Sequence, residues 1–357
     1  MKKNYLEISS KITNNFDFYY YVYSRIKANN VEKTVAPLKI GLKITDNCKF
    51  RCSYCFVNKK NHNLSLQSLK RIISKLPQLP LEVYLTGGEP TLHPEFSNIV
   101  DYLYEQNILI RLHTTGFIDS HNEEYILKNL NKFNSIQLSI DSIKHFDKLR
   151  PHKSEINVLE KIAYFIEKCI SCNFSNLSVN TVVSKKNILE LADILNFCIT
   201  NNVYKVRLSP IFTKNSHLLY KDDEYDSYFY DLISNYTDKG IEFLSDPFCH
   251  PWSYAVKHDI NNYSSPLFCP AQKTELEIDP NGNVYPCPFL HNEKHLMGNI
   301  LTDDFDNIWA SGVESLERLE WSKRKKCINC SQYKDCGGGC YALAYITNKD
   351  YDIRCSL

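Results

Sequence analysis

The chain has 357 residues, with 42 Lys and Arg against 41 Asp and Glu and a net charge of +1 at pH 7; it is long enough for one large domain or roughly two to three smaller ones. The even charge excludes a protein that coats nucleic acid or lies on a membrane through a basic field. No uncharged apolar run approaches the ~18 residues of a membrane span, and the polar, Tyr-rich start has no secretory pattern. The outlying count is 14 Cys, which in a large chain without an export signal points to metal ligation or catalysis in a reducing cytoplasm.

Residues 1–38 read as an N-terminal extension. Its aromatics, Phe16 and Phe18 to Tyr21 among them, are expected in a helix packed onto the body or docking a partner. From residue 39 the chain alternates strand and helix. Short β-branched runs at 39–44, 81–85, 108–113, 135–140, 177–183 and 204–211 predict strands. Helical spacing predicts helices on Leu66, Leu69, Ile72, Ile73 and Leu76, and on Phe96, Ile99, Val100 and Leu103. It recurs on Val158, Leu159, Ile162, Phe165 and Ile166, and again over 188–199. This rhythm implies an α/β fold with a parallel sheet and helical crossovers. Six units over 39–211 are too few for a closed eightfold barrel, so the expectation is a partial (β/α)6 barrel, TIM-like, with its ligand site at the strands' C-terminal ends. Residues 212–268 read as a bridge with one helix near 223–235. Residues 269–357 read as a small, loop-rich domain with turns at Asp279-Pro280-Asn281-Gly282 and Gly337-Gly338-Gly339.

The first cysteine cluster, Cys48-x₃-Cys52-x-Tyr54-Cys55, follows the first predicted strand. Three thiolates from one loop can hold three irons of a [4Fe–4S] cube and leave the fourth iron open to a small molecule. A zinc knuckle would need a fourth ligand nearby, and His62 stands at no common ligand spacing. One βα unit on, at a strand end, stands Gly87-Gly88-Glu89-Pro90, where a glycine pair lets backbone approach a ligand closely.

These motifs together resemble the radical S-adenosylmethionine (SAM) superfamily. The resemblance continues through Ser139 and Asp141 of the fourth strand, Arg150 after it, Asn180 of the fifth and Leu208 of the sixth, covering residues 39–211. It implies that Cys48, Cys52 and Cys55 hold the catalytic cluster and that its open iron chelates the amino and carboxylate groups of SAM. It implies further that Gly87, Gly88, Glu89 and Pro90 meet the SAM amino group and that Tyr54 lies near the adenine. Ser139 and Asn180 are then candidates for ribose or carboxylate contacts, Arg150 for the carboxylate and Leu208 for the adenine pocket; strand packing is the other reading of Asn180 and Leu208. One-electron cleavage of SAM to a 5′-deoxyadenosyl radical that abstracts a substrate hydrogen is the chemistry implied.

Seven more Cys crowd the last part of the chain: Cys269 and Cys287, then Cys327, Cys330, Cys336 and Cys340, then Cys355. Seven ordered Cys suit zinc sites, which take four ligands each, less well than iron–sulfur clusters. The pattern resembles the SPASM domain with two auxiliary [4Fe–4S] clusters, three clusters in all. By that resemblance Cys327, Cys330, Cys336 and Cys355 hold the distal cluster, and Cys269, Cys287 and Cys340 the proximal one. Cys249 either completes the proximal cluster, donates a hydrogen atom to a substrate radical, or is a buried thiol. Cys169, Cys172 and Cys198 read as core packing.

SPASM-bearing enzymes mostly modify peptides and proteins. The leading expectation is therefore a cross-link or oxidation on a ribosomally made peptide. The partners would be a reductant such as flavodoxin or ferredoxin and a separate leader-binding protein, since 38 residues before the first strand are too few for a full leader-binding domain. The alternatives are radical oxidation or epimerisation of a sugar or aminoglycoside, sulfatase-type protein maturation, and a redox partner protein that cleaves no SAM. Pro288 after Cys287 weakens the sulfatase reading, because such enzymes carry an acid there.

Overall fold

The computed structural model describes residues 34–57, 59–220, 222–244, 269–310, 327, 329–331, 339–349 and 351–355. The N-terminal aromatics, Cys249 and Cys336 lie outside the described residues. All six expected strands are present: β1 (Lys39–Thr45), β2 (Glu82–Gly87), β3 (Leu109–Thr114), β4 (Ser135–Ser139), β5 (Leu177–Val183) and β6 (Lys205–Pro210), each parallel to the next.

Helices on the crossovers bury the faces the spacing selects. In α1 (Leu66–Lys75), capped by Ser65 accepting from the Ser68 N–H, the buried residues are Leu69, Ile72 and Ile73. In α2 (Phe96–Glu105) they are Phe96, Ile99, Val100 and Leu103. The crossover from β3 to β4 carries α3 (Ser120–Lys128), whose single buried residue, Ile126, gives too thin a stripe to be read from sequence. A short α4 (Phe146–Leu149) precedes α5 (Val158–Ser171), α6 (Leu191–Thr200) and α7 (Asp226–Thr237). Cys169 and Cys198 are core residues on α5 and α6, whereas Cys172, at the α5 C-cap, is exposed.

The sheet extends beyond the six strands at both edges. After β6 and α7, β7 (Glu242–Phe243) pairs in parallel with β6. At the other edge β8 (Glu275–Ile278) pairs in parallel with β1, followed by the antiparallel β9 (Asn283–Tyr285) and β10 (Gly298–Asn299). The β8–β9 turn is the Asp279–Gly282 signal: Gly282 has φ +84° and donates to the Asp279 carbonyl. The C-terminal cysteine region is thus built onto the barrel sheet rather than standing beside it. The described strands run in the order β10-β9-β8-β1-β2-β3-β4-β5-β6-β7.

Alternation sorts the two faces of this sheet. Ile40, Leu42, Val83, Leu85, Ile136, Leu138 and Val179 belong to the core shared with the helices. The inner face carries charge: Lys39 lies 3.7 Å from Glu82, and Arg111 donates to Glu82 at 3.1 Å. No helix among the described residues is long and apolar enough to cross a membrane. Beyond the sheet, α8 (Phe305–Ala310) and α9 (Tyr341–Thr347) complete the described helices used below.

Candidate active site

The β1 register slips between Lys43 and Thr45, and the chain leaves the sheet into the cysteine loop. One side chain anchors that loop. Phe50, 1% exposed, sits edge-on to Phe117, Phe146 and His152 at 6.0, 6.2 and 5.3 Å. The backbone on either side is pinned: the Arg51 N–H donates to the Pro151 carbonyl at 2.7 Å, Arg51 Nη1 donates to the Cys48 carbonyl at 2.8 Å, and Lys59 Nζ donates to the Phe50 carbonyl. Cys48 and Cys52 are half-buried and Cys55 is exposed. Cys55 interacts electrostatically with each of the other two, and burial pushes Cys48 up to about 11. His62 pairs with Asp46 at 3.3 Å.

The glycine motif abuts this loop. The Gly88 and Glu89 N–H groups donate to the Thr45 and Asn47 carbonyls at 2.7 and 2.6 Å. A Cβ at Gly88 would stand 2.0 Å from the Asn47 carbonyl oxygen, and one at Gly87 2.2 Å from that of Thr45. Gly88→Ala is therefore expected to displace the cysteine loop, costing about 1–3 kcal/mol and lowering bound iron; a melting curve and an iron assay on the purified variant check it. The Glu89 side chain is held on every side. It is 2% exposed, and both oxygens are taken: Oε1 accepts from Thr91 and Thr114 hydroxyls, and Oε2 from the Thr115 N–H and hydroxyl. Its carboxylate ties the end of β2 to the end of β3.

Beside the loop lies a carboxylate outside the expected site residues. Asp141, 1% exposed, accepts from Arg150 Nε at 2.7 Å and from the Tyr54 hydroxyl on Oδ2, and from the Val182 N–H at 2.8 Å on Oδ1. Arg150 lies 6.0 Å from the Tyr54 ring centroid and carries the charge that most favours a thiolate at Cys52. Asp141 and Tyr54 push the guanidinium further up, so it stays charged despite burial. Its Nη donors are unspent among the described residues and face the same loop as Cys52. The signal for Asp141 in the sequence is faint: an acid just past a strand end, nine residues before an Arg.

Ser139 and Asn180 stand side by side across β4 and β5, half-buried on the inner face, with Ser209 donating to Asn180 Oδ1 at 2.6 Å. Leu208 is different. It alternates with Arg207 and Ser209, is 2% exposed, and packs in the helix-facing core with Val206. Its side chain thus faces away from Ser139 and Asn180.

The C-terminal thiols also gather. Cys287, at the end of the β8–β9 hairpin, interacts electrostatically with Cys269 and Cys340, and the crowding with burial pushes its thiol well up. Asp352 organises the neighbourhood: Oδ2 accepts from the Cys340 N–H at 2.8 Å, its carbonyl accepts from the Cys355 N–H at 2.9 Å, and Arg354 Nη2 donates to it at 2.8 Å. Cys327 and Cys330 form one turn, with the Cys330 N–H donating to the Cys327 carbonyl. Two contacts join this region to the catalytic loop. Phe56, next to Cys55, packs at 5.2 Å on Phe289, which stacks on Phe212 at 3.6 Å, and Lys43 donates to His291 at 3.1 Å.

No three His, Cys, Asp or Glu side chains among the described residues close on a single metal ion. Both thiol sets are open groups of three, the donor set of a multi-iron cube in which each thiolate takes its own iron. The residues therefore fit iron–sulfur clusters, and bound iron would hold as thiolates the thiols that burial keeps protonated.

Comparison with known proteins agrees. The radical SAM superfamily profile matches residues 42–198, and the SPASM profile, an iron–sulfur cluster-binding domain, matches residues 269–336. Mycofactocin maturase MftC of Mycobacterium tuberculosis is 25% identical over 329 residues, covering 89% of this chain and 81% of that protein. Among solved structures, Streptococcus suis SuiB bound to S-adenosylmethionine superposes with a TM-score of 0.69 at 20% identity, covering 99% of this chain and 86% of that one. SuiB bound to its precursor peptide SuiA gives 0.67 at 20% identity, covering 93% and 78%. Barrel, motifs and matches converge: the chain carries a radical S-adenosylmethionine domain over residues 42–198 and a C-terminal SPASM iron–sulfur domain over residues 269–336.

Proposed function

We propose that this enzyme uses S-adenosylmethionine to modify a ribosomally made peptide by radical chemistry, through a cross-link or the oxidation of a side chain. The observation that carries the reading is the likeness to mycofactocin maturase MftC along most of the chain. SuiB, which shares the fold and has been crystallised with its precursor peptide, supports the same substrate class.

Three [4Fe–4S] clusters are proposed, held by Cys48, Cys52 and Cys55, by Cys269, Cys287 and Cys340 with Cys249 as a candidate fourth ligand, and by Cys327, Cys330, Cys336 and Cys355. When bound, the first supplies the one-electron reduction that cleaves SAM. The chain's own residues then have defined work. Phe50 and the glycine motif hold the loop, Arg150 offers charged Nη donors to the SAM carboxylate, and Asp141 keeps both Arg150 and Tyr54 in place. Ser139 and Asn180 present hydrogen-bonding groups at the strand ends for the nucleoside. A reductant such as flavodoxin or ferredoxin, a separate leader-binding protein and a cytoplasmic location complete the proposal.

Purified enzyme with dithionite, SAM and the short peptides encoded beside its gene tests it. The expected result is 5′-deoxyadenosine together with a mass loss in one peptide. Deoxyadenosine formation with every such peptide unchanged would overturn the peptide reading.

A further inference from the structure

The inner face of the sheet holds polar groups that the chemistry above leaves unused. Glu277 of β8 stands opposite Gly41 of β1 and is 1% exposed. A Cβ at Gly41 would lie 2.0 Å from its Oε1 and 2.4 Å from its Oε2, so the carboxyl lies over that glycine and no larger residue leaves it room. Neither oxygen has a hydrogen-bond partner among the described residues. At the next inner position of β1, Lys43 Nζ donates to His291 Nδ1 at 3.1 Å. That bond sets the tautomer: Nδ1 accepts, so the proton sits on Nε2, and this second nitrogen is shielded from solvent and also lacks a partner there. The imidazole is stacked on Tyr285 at 4.3 Å, and Tyr285 pairs with Glu277 across the hairpin. Lys43 is thus the shared neighbour of both groups.

Packing alone does not account for this. A buried acceptor or donor left unpaired keeps its full desolvation cost, and interiors pair nearly all of theirs. Lys39, the other β1 lysine on this face, is engaged with Glu82 and with Glu275 at 3.5 Å and lies 5.0 Å from the Tyr84 ring centroid. A cationic ligand would meet Lys39 and Lys43. An anionic one would meet Glu82, Glu275 and Glu277. A neutral group that donates and accepts at once satisfies both orphans.

We propose that Glu277 and His291 form a recognition pair for a peptide amide, whose N–H donates to the Glu277 carboxyl while its carbonyl accepts from His291 Nε2–H. The pair rests on the peptide reading above: Glu277 stands beside β1, the strand that leads into Cys48, and His291 follows Cys287 by four residues. Burial supports the match. It pushes the Glu277 carboxyl up to about 8, with Lys43 and Lys39 opposing, and it pushes His291 down to about 3, with Lys43 adding to the effect. Near neutral pH both partners are uncharged, as a neutral ligand requires.

The test uses the iron-loaded full chain with N-methylacetamide as the probe, and propylammonium and acetate as controls. The protonated Glu277 carboxyl gives an infrared carbonyl band that Glu277→Leu removes, and N-methylacetamide is expected to shift that band downward. Glu277→Leu, and His291→Phe, which keeps the stack on Tyr285, should each weaken probe binding roughly tenfold. Because an unpaired buried carboxyl is a stability cost, Glu277→Leu should melt no lower than the parent. A band that N-methylacetamide leaves unmoved, a shift with propylammonium or acetate in its place, or a Glu277→Leu protein that melts lower would each overturn the proposal. The probe is not a peptide substrate, so a negative result here leaves peptide modification standing, and a failure to modify peptides leaves this binding measurement valid.

Discussion

Replacing Cys48, Cys52 and Cys55 together by Ala is expected to abolish 5′-deoxyadenosine formation while leaving about eight of about twelve irons bound per chain. The partition follows from the fold. The first cysteine loop hangs from β1 and is fixed by Phe50 in its ring of Phe117, Phe146 and His152. Cys287, Cys269 and Cys340 interact electrostatically with one another, with Asp352 bonded to the backbone of Cys340 and Cys355. Since the anchor is a side chain that the substitutions leave intact, the variant should fold, and its circular dichroism should match the parent. Iron and labile sulfide assays read the count. A residue of about four irons would remove one auxiliary cluster from the proposal, and measurable SAM cleavage would sink the assignment of the loop.

What the sequence discloses, and what it hides, follows from how many residues carry each signal. The stripe Phe96, Ile99, Val100 and Leu103 repeats at helical spacing, and those four are the buried residues of α2. The strand 177–183 has bounds identical to β5, because β-branched residues fill it and its neighbours cover both faces. Strand β8 is hidden. Its four residues, Glu275, Leu276, Glu277 and Ile278, put two acids on one side, and the partner that makes them a strand is β1, more than two hundred residues earlier. The glycine motif is legible as a ligand-approach element, but the fate of Glu89 depends on Thr114 and Thr115 at the end of another strand. The role of Asp141 is hidden for the same reason: Tyr54, Arg150 and Val182 come to it from three different places in the chain. Motifs with their own spacing are readable; single carboxylates whose meaning lies in distant partners are not.

Glu277 carries the second large expectation, a slope in stability against pH. Its folded carboxyl is raised to about 8 by burial, whereas an unfolded Glu titrates near 4.3. Between those values the folded chain holds a proton that the unfolded chain has released. The contribution of Glu277 to stability is therefore fully present below about pH 4 and is lost as pH rises toward 8, at about 1.4 kcal/mol per unit. Lys43 and Lys39 temper the shift, while Glu275 and Cys287 share its surroundings. Glu277→Gln keeps the shape and removes the proton. In urea unfolding of the iron-loaded protein the two chains should have similar stability near pH 5, with the variant ahead by on the order of 4 kcal/mol at pH 8. Other titrating groups cancel in the difference because both chains share them. Parallel stability curves across that range would mean that Glu277 is ionised and paired in the folded chain, and the uncharged recognition pair would fall with it.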